Sequence, residues 1–129
     1  MTRRIGLLGG TFDPVHLGHV FLAKKAQDFL RLDQLIVLPT GQNPLKQNAP
    51  GASAEQRIRM LELAAEESGQ TWVIETEEAR SAGPSYSIDT VTRLQKQVPG
   101  EYFFVMGSEV FHSLPRWKSP RALLEKIQL

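Results

Sequence analysis

Four short apolar runs alternate along this chain with stretches whose apolar residues recur at helical spacing, and no other feature restricts the fold as much. Arg4-Ile5-Gly6-Leu7-Leu8-Gly9 is too short and too uniformly apolar for a helix, and it stops at Gly9-Gly10, so it reads as a fully buried strand. Leu35-Ile36-Val37-Leu38, ended by Pro39, is the second such run, Thr71-Trp72-Val73-Ile74 the third, and Tyr102–Met106, ended by Gly107, the fourth. Between them, Val20, Ala23, Ala26 and Leu30 share one face of a helix over about Leu17–Leu30. Ser53-Ala54-Glu55-Gln56 has the form of a capping box, and Ile58, Met60, Leu61 and Ala64 carry that helix's apolar face as far as Gly69. Ile88, Val91 and Leu94 imply a third helix, closed by Pro99-Gly100. Ser119-Pro120 opens a fourth, with Leu123, Leu124 and Ile127 facing inward.

Unbroken apolar strands alternating with helices call for a parallel sheet covered on both faces. The expected fold is α/β, a dinucleotide-binding (Rossmann-like) sheet of strand order 3-2-1-4 within one domain over residues 1–129. Ligands bind such sheets beyond the strand C-termini, where the strand order reverses, here between strands 1 and 4. The loops that meet at that point are Gly9–His19 and Gly107–Trp117.

Composition narrows the chemistry mainly by exclusion. With 41% hydrophobic and 22% charged residues the chain is neither disordered nor a coiled coil. No apolar run approaches the roughly 20 residues of a membrane span, and a net charge of +1 predicts no general affinity for nucleic acid or membrane surfaces. The absence of cysteine removes disulfides, thiol nucleophiles and cysteine-ligated zinc, and fits a cytoplasmic location. Residues 1–61 carry net +4, residues 62–101 net −5 and residues 102–129 net +2, so the two ends could hold an anion between them.

The run Gly9-Gly10-Thr11-Phe12-Asp13-Pro14-Val15-His16-Leu17-Gly18-His19 is the most informative. Two glycines after a buried strand let the backbone approach a bulky anion and turn N–H groups toward it. The first helix begins just beyond, so its unpaired amides and dipole also favour a phosphate. His16 and His19, three apart, lie on one face of the first turn and both can donate to phosphate oxygens, while Gly18 keeps that turn low. Each part has a plainer explanation: a simple Gly-Gly turn, a surface histidine pair or zinc ligands, helix capping by Asp13-Pro14. No third ligand at suitable spacing supports zinc, and taken together the features favour phosphate.

The run resembles the signature of the α/β-phosphodiesterase-type nucleotidyltransferases, Thr-x-x-x-His-x-Gly-His, here Thr11 followed by His16-Leu17-Gly18-His19 with one extra spacer residue. It looks most like that of the bacterial nicotinate-mononucleotide adenylyltransferases, although phosphopantetheine adenylyltransferases share this first motif. Pro84-Ser85-Tyr86-Ser87 is similar to their Pro-Ser-Tyr-Thr segment, with Ser87 in place of threonine. Gly107-Ser108-Glu109 and Leu114-Pro115-Arg116-Trp117 resemble their Gly-x-Asp and Leu-Pro-x-Trp block, with Glu109 in place of aspartate. Asn43-Pro44-Leu45-Lys46 matches a Pro-His-Lys segment in which Leu45 replaces histidine, within a glycine- and proline-rich loop from Thr40 to Gly51.

The resemblance implies transfer of the adenylyl group of ATP to nicotinate mononucleotide, giving deamido-NAD and pyrophosphate. It implies His16, His19 and Lys46 as the catalytic residues. Gly9, Gly10, Thr11, Phe12, Gly18, Gly107 and Glu109 would bind ATP or its phosphates, and Ser85, Tyr86, Ser87 and Trp117 the nicotinate nucleotide. Magnesium would bridge ATP phosphates with no protein cage of its own. As bare sequence, Ser87 is equally a helix cap, Tyr86 a packing residue, Trp117 a partly buried structural residue and Lys46 a solvated lysine. The family continues into a fifth strand and a late Ile-Ser-x-Thr-x-x-Arg motif that grips ATP phosphates, neither of which is expected in this chain. Weak or absent turnover is therefore expected, with strand 102–106 as an exposed edge open to homodimerisation. A phosphopantetheine enzyme and a non-catalytic nucleotide-binding remnant remain the alternatives.

Overall fold

The computed structural model describes residues 2–10, 12, 14–39, 53–77, 87–106 and 127–128. Its elements run β1 (Arg4–Gly10), α1 (Leu17–Leu30), β2 (Gln34–Pro39), α2 (Ala54–Ser68), β3 (Val73–Ile74), α3 (Ser87–Gln97), β4 (Glu101–Val105) and β5 (Ile127–Gln128). All strand pairs are parallel, in the order β3-β2-β1-β4-β5. β1 is central, pairing Leu7 with Ile36 on one side and with Phe104 on the other.

Side chains alternate across this sheet, so β1, β2 and β4 each supply two cores. Ile5 and Leu7, Ile36 and Leu38, and Tyr102 and Phe104 meet Val91 and Leu94 of α3 on one face. Leu8, Leu35, Val37 and Val105 meet Ala23 and Ala26 of α1 and Leu61 of α2 on the other. The chain thus winds from β1 to β3 beneath α1 and α2, then crosses under α3 to β4. This crossing creates the expected reversal between β1 and β4.

Helix boundaries follow local chemistry. Ser53 accepts from the Gln56 backbone N–H at 3.1 Å, the Gln56 side chain accepts from the Ser53 N–H at 2.9 Å, and Gly69 ends α2 in the left-handed region. Ile58 and Leu61 are buried as the helical spacing requires, but so is Arg57 at 3% exposure, which apolar periodicity does not reveal. In α3, Val91 and Leu94 turn inward.

Two expectations change at the C-terminal end. Ile127 does not face inward from a fourth helix; it lies in β5, opposite Tyr102, with Gln128 opposite Phe103. A fifth strand is therefore present in this chain. Strand 102–106 is correspondingly not the bare edge expected, because β5 pairs with its first positions and residues 102–105 are buried. The helix proposed at Ser119–Leu124 lies outside the described residues.

Candidate functional site

β1 delivers Gly9 and Gly10 to the reversal point, opposite Leu38 and Pro39 of β2. Both glycines belong to the strand, and neither takes a positive φ, so the chain does not turn on them. The left-handed residue is Phe12, at φ 53°, an uncommon conformation for a bulky side chain. Its ring is buried at 3% exposure in the core shared with Leu8, Ala23 and Val105. A Cβ at Gly10 would come within 3.3 Å of that ring, so Gly10 gives Phe12 room.

The chain then enters α1 through the histidines themselves. His16, not Asp13, is the N-cap, with extended backbone. Its Nδ1 accepts from the Gly18 N–H at 3.1 Å, and the His19 Nδ1 accepts from the His16 N–H at 3.1 Å. This is a capping box built from two imidazoles. The rings stack with centroids 3.7 Å apart and 25° between planes. Gly18 is required by this arrangement, because a Cβ there would lie 2.8 Å from the His16 ring.

The hydrogen bonds determine the protonation pattern. An Nδ1 that accepts carries no proton, so in the neutral ring the proton sits on Nε2. Both histidines therefore present an Nε2–H donor on the side away from the helix cap. Burial, reinforced by the neighbouring His16, lowers the His19 pKa from 6.5 to about 4. Near pH 7 His19 is thus a neutral donor. Exposure differs between the two: His16 is open and His19 partly buried against Phe12, whose ring meets it edge-on at 4.8 Å and 67°.

Gly9, Gly10, Phe12, His16, Gly18 and His19 therefore converge where β1 ends. Ser87 opens α3, at the same end of the sheet because the helix returns the chain between parallel strands. Thr11, Lys46, Ser85, Tyr86, Gly107, Glu109 and Trp117 lie outside the described residues. An open groove of about 550 Å³ runs beside this centre between Val15, His16 and Leu17 and the α2 residues Met60, Leu63 and Ala64. Its lining includes His16 but not Gly9, Gly10 or His19, so it adjoins the strand end through His16 alone. Among the described residues no group of three or more His, Cys, Asp or Glu could hold a metal ion, and no helix is long and apolar enough to cross a membrane.

Two parts of this geometry escaped sequence reasoning: the histidine cap and the strained Phe12. Histidine is not a favoured N-cap residue, and nothing local marks a phenylalanine for positive φ.

Comparison with known proteins places the chain in a family. Residues 7–129 match the family model described as cytidylyltransferase-like. A Bacillus cytotoxicus protein named "Probable nicotinate-nucleotide adenylyltransferase" is 40% identical over 126 residues, covering 97% of this chain and 66% of the relative. A Borrelia hermsii protein of the same name is 35% identical over 127 residues, covering 98% and 66%. The chain thus spans just under two-thirds of the length of these relatives. In structure it is similar to Plasmodium falciparum nicotinic acid mononucleotide adenylyltransferase complexed with NaAD, at TM-score 0.77 and 16% identity over 95% of this chain and 60% of that one. A Vibrio parahaemolyticus crystal structure gives TM-score 0.76 and 17% identity over 98% and 71%. The structural likenesses establish the shared Rossmann-like fold, and the family match, with the glycine strand end and paired histidines inside it, establishes descent: this chain belongs to the cytidylyltransferase-like family.

Proposed function

We propose that the protein transfers the adenylyl group of ATP to nicotinate mononucleotide, releasing pyrophosphate and forming deamido-NAD. The observation that carries this reading is the His16–His19 pair, whose Nδ1 atoms are occupied by the helix cap and whose Nε2–H donors are directed away from it at the strand reversal. Names borne by relatives about 40% identical to this chain support the substrate, as does the NaAD bound by the Plasmodium relative.

In this reading a phosphate oxygen of nicotinate mononucleotide attacks the α-phosphorus of ATP, the bond to the β-phosphate oxygen breaks, and pyrophosphate departs. No covalent enzyme intermediate is needed, so catalysis rests on alignment and on stabilising charge. His16 and His19 donate from Nε2 to phosphate oxygens without giving up a proton. The strand end at Gly9-Gly10 and the start of α1 add backbone dipoles. Lys46, Glu109 and Gly107 would complete the ATP side, and Ser85, Tyr86, Ser87 and Trp117 the nicotinate side. Among the described residues the donor set consists of N–H groups, and magnesium would arrive on the triphosphate and supply charge there. The proposal includes a cytoplasmic location, in keeping with a chain free of cysteine.

The test is pyrophosphate release from ATP with nicotinate mononucleotide, and with phosphopantetheine in parallel. Turnover with the first and not the second supports the proposal; the reverse preference transfers it to the pantetheine relatives. ATP binding with no turnover on either would leave a nucleotide-binding role alone. Replacing both histidines with alanine is expected to abolish turnover, and unchanged turnover would refute the assignment.

A further inference from the structure

We propose that Phe12 is a positioning residue for His19: its buried ring and left-handed backbone together hold the His19 imidazole with Nδ1 toward the helix cap and Nε2 toward the substrate cleft. The inference rests on the adenylyl-transfer reading for its functional meaning, but its physical content stands apart from that reading.

Phe12 is placed for this by three independent observations. Its side chain is anchored in the core with Leu8 and Ala23, so the ring cannot follow a ligand. Its edge meets the His19 ring at 4.8 Å and 67°, a T-shaped contact that favours one ring orientation and excludes water from one side of the imidazole. Its φ of 53° is unfavourable for phenylalanine, and Gly10 leaves space for the buried ring. Strain of this kind persists only where packing overrides local preference. Phe12 thus transmits the rigidity of the sheet to a side chain on the first turn of α1. Its side chain is turned away from solvent, so any contact with phosphate falls to its backbone.

The capping box alone does not achieve this. A single hydrogen bond from the His16 N–H fixes one atom of the His19 ring and leaves rotation about that contact open. Stacking on His16 restrains one face, but His16 is itself solvent-exposed. Phe12 is the partner anchored in the core.

The experiment compares unaltered protein with Phe12→Met, which keeps apolar bulk and loses the flat ring edge. Imidazole ¹⁵N spectra at pH 7 are expected to show His19 as a single Nε2–H tautomer in the unaltered protein and as a tautomer mixture in the variant. A mixture in the unaltered protein, or an unchanged single tautomer in the variant, overturns the proposal. Turnover gives the second readout: kcat for adenylyl transfer should fall about tenfold with KM for ATP within about twofold, as expected when a reacting group is misplaced rather than removed. In a His19→Asn background the Phe12→Met change should cost nothing further, and an additive loss would overturn the positioning role. Should Phe12→Met fail to fold, Phe12→Leu and the spectrum of the unaltered protein carry the same decision. If His19→Asn alone retains full kcat, the catalytic reading of His19 fails, while the spectra still decide whether Phe12 sets its ring.

Discussion

His16 and His19 serve two purposes at once: they close the first turn of α1 and they present two aligned donors. The dual use makes the site sensitive to substitutions that do not touch a ligand. In Gly18→Ala, a methyl group would meet the His16 ring at 2.8 Å and displace it from the cap. The lost cap costs about 1 kcal/mol, and alanine regains about 0.5–1 kcal/mol of helix propensity. Melting temperature should therefore move little, while ATP affinity measured by calorimetry should fall. A variant that binds ATP normally would show that the His16 orientation is not needed. The pair also links stability to pH. The folded pKa of His19, about 4, lies below its unfolded value of 6.5, so its contribution to stability is complete above pH 6.5 and drains away as pH falls toward 4. His19→Asn, which keeps an acceptor for the His16 N–H, should flatten the decline of melting temperature across that window. The spacing of the two histidines showed that they share a face. It did not show that their inner nitrogens are consumed by the backbone, because that depends on ring rotation, which Gly18 permits and Phe12 restrains.

At the scale of elements, the helices end for different reasons. α2 stops at a glycine, but α1 stops at Arg31, which adopts φ 51° and donates its N–H to the Gln27 carbonyl. Arg31→Gly should stabilise the protein by roughly 0.5–1 kcal/mol by relieving that conformation, read as a higher denaturation midpoint. α1 is tied down by Gln70, a residue with no visible role in the sequence. Its side-chain oxygen accepts from Gln27 Nε2 at 2.9 Å and Trp72 Nε1 at 3.1 Å, and its nitrogen donates to the Val20 carbonyl at 3.2 Å. Gln70→Leu leaves those partly buried groups without partners and should cost about 1–3 kcal/mol, seen as a lower melting temperature. Such a hub joins residues up to 50 positions apart, and no local pattern announces it. By contrast, the capping box at Ser53–Gln56 was legible because both partners lie within four residues. Ile127 shows the limit of periodicity: at helical spacing from Leu123 and Leu124 it reads as a helix face, yet it joins the sheet.

For the molecule as a whole, the sheet organises everything else. Tyr102 illustrates how one strand residue binds two layers: its ring fills the core under α3, and its hydroxyl reaches the Val98 carbonyl at 2.6 Å and the Leu94 carbonyl at 3.1 Å at the end of that helix. Burial raises its pKa above the ordinary 10.0, opposed by Arg3, so the hydroxyl keeps its proton and donates. Tyr102→Phe should cost about 1 kcal/mol by calorimetry, because the part-buried Val98 carbonyl loses its short hydrogen bond while that of Leu94 keeps the Val98 N–H. Arg93 of α3 bridges Glu77 at 3.0 Å and Glu75 at 3.6 Å, joining the third helix to the segment after β3. These links fasten α3 to β4 and to the segment after β3, while the parallel ladder of β1 and β4 holds those two strands side by side below the histidines.

What the residues alone determined is local or periodic: four apolar strands, three amphipathic helices, their alternation and hence a parallel sheet that reverses between β1 and β4. Those properties follow from backbone geometry and apolar spacing, which act over a few residues. Tertiary structure alone decided the rest: the left-handed Phe12, the use of both histidine Nδ1 atoms by the helix cap, the Gln70 hub and the pairing of β5 with β4. Each of these depends on which distant atoms come into contact, and contact is a property of the packed chain.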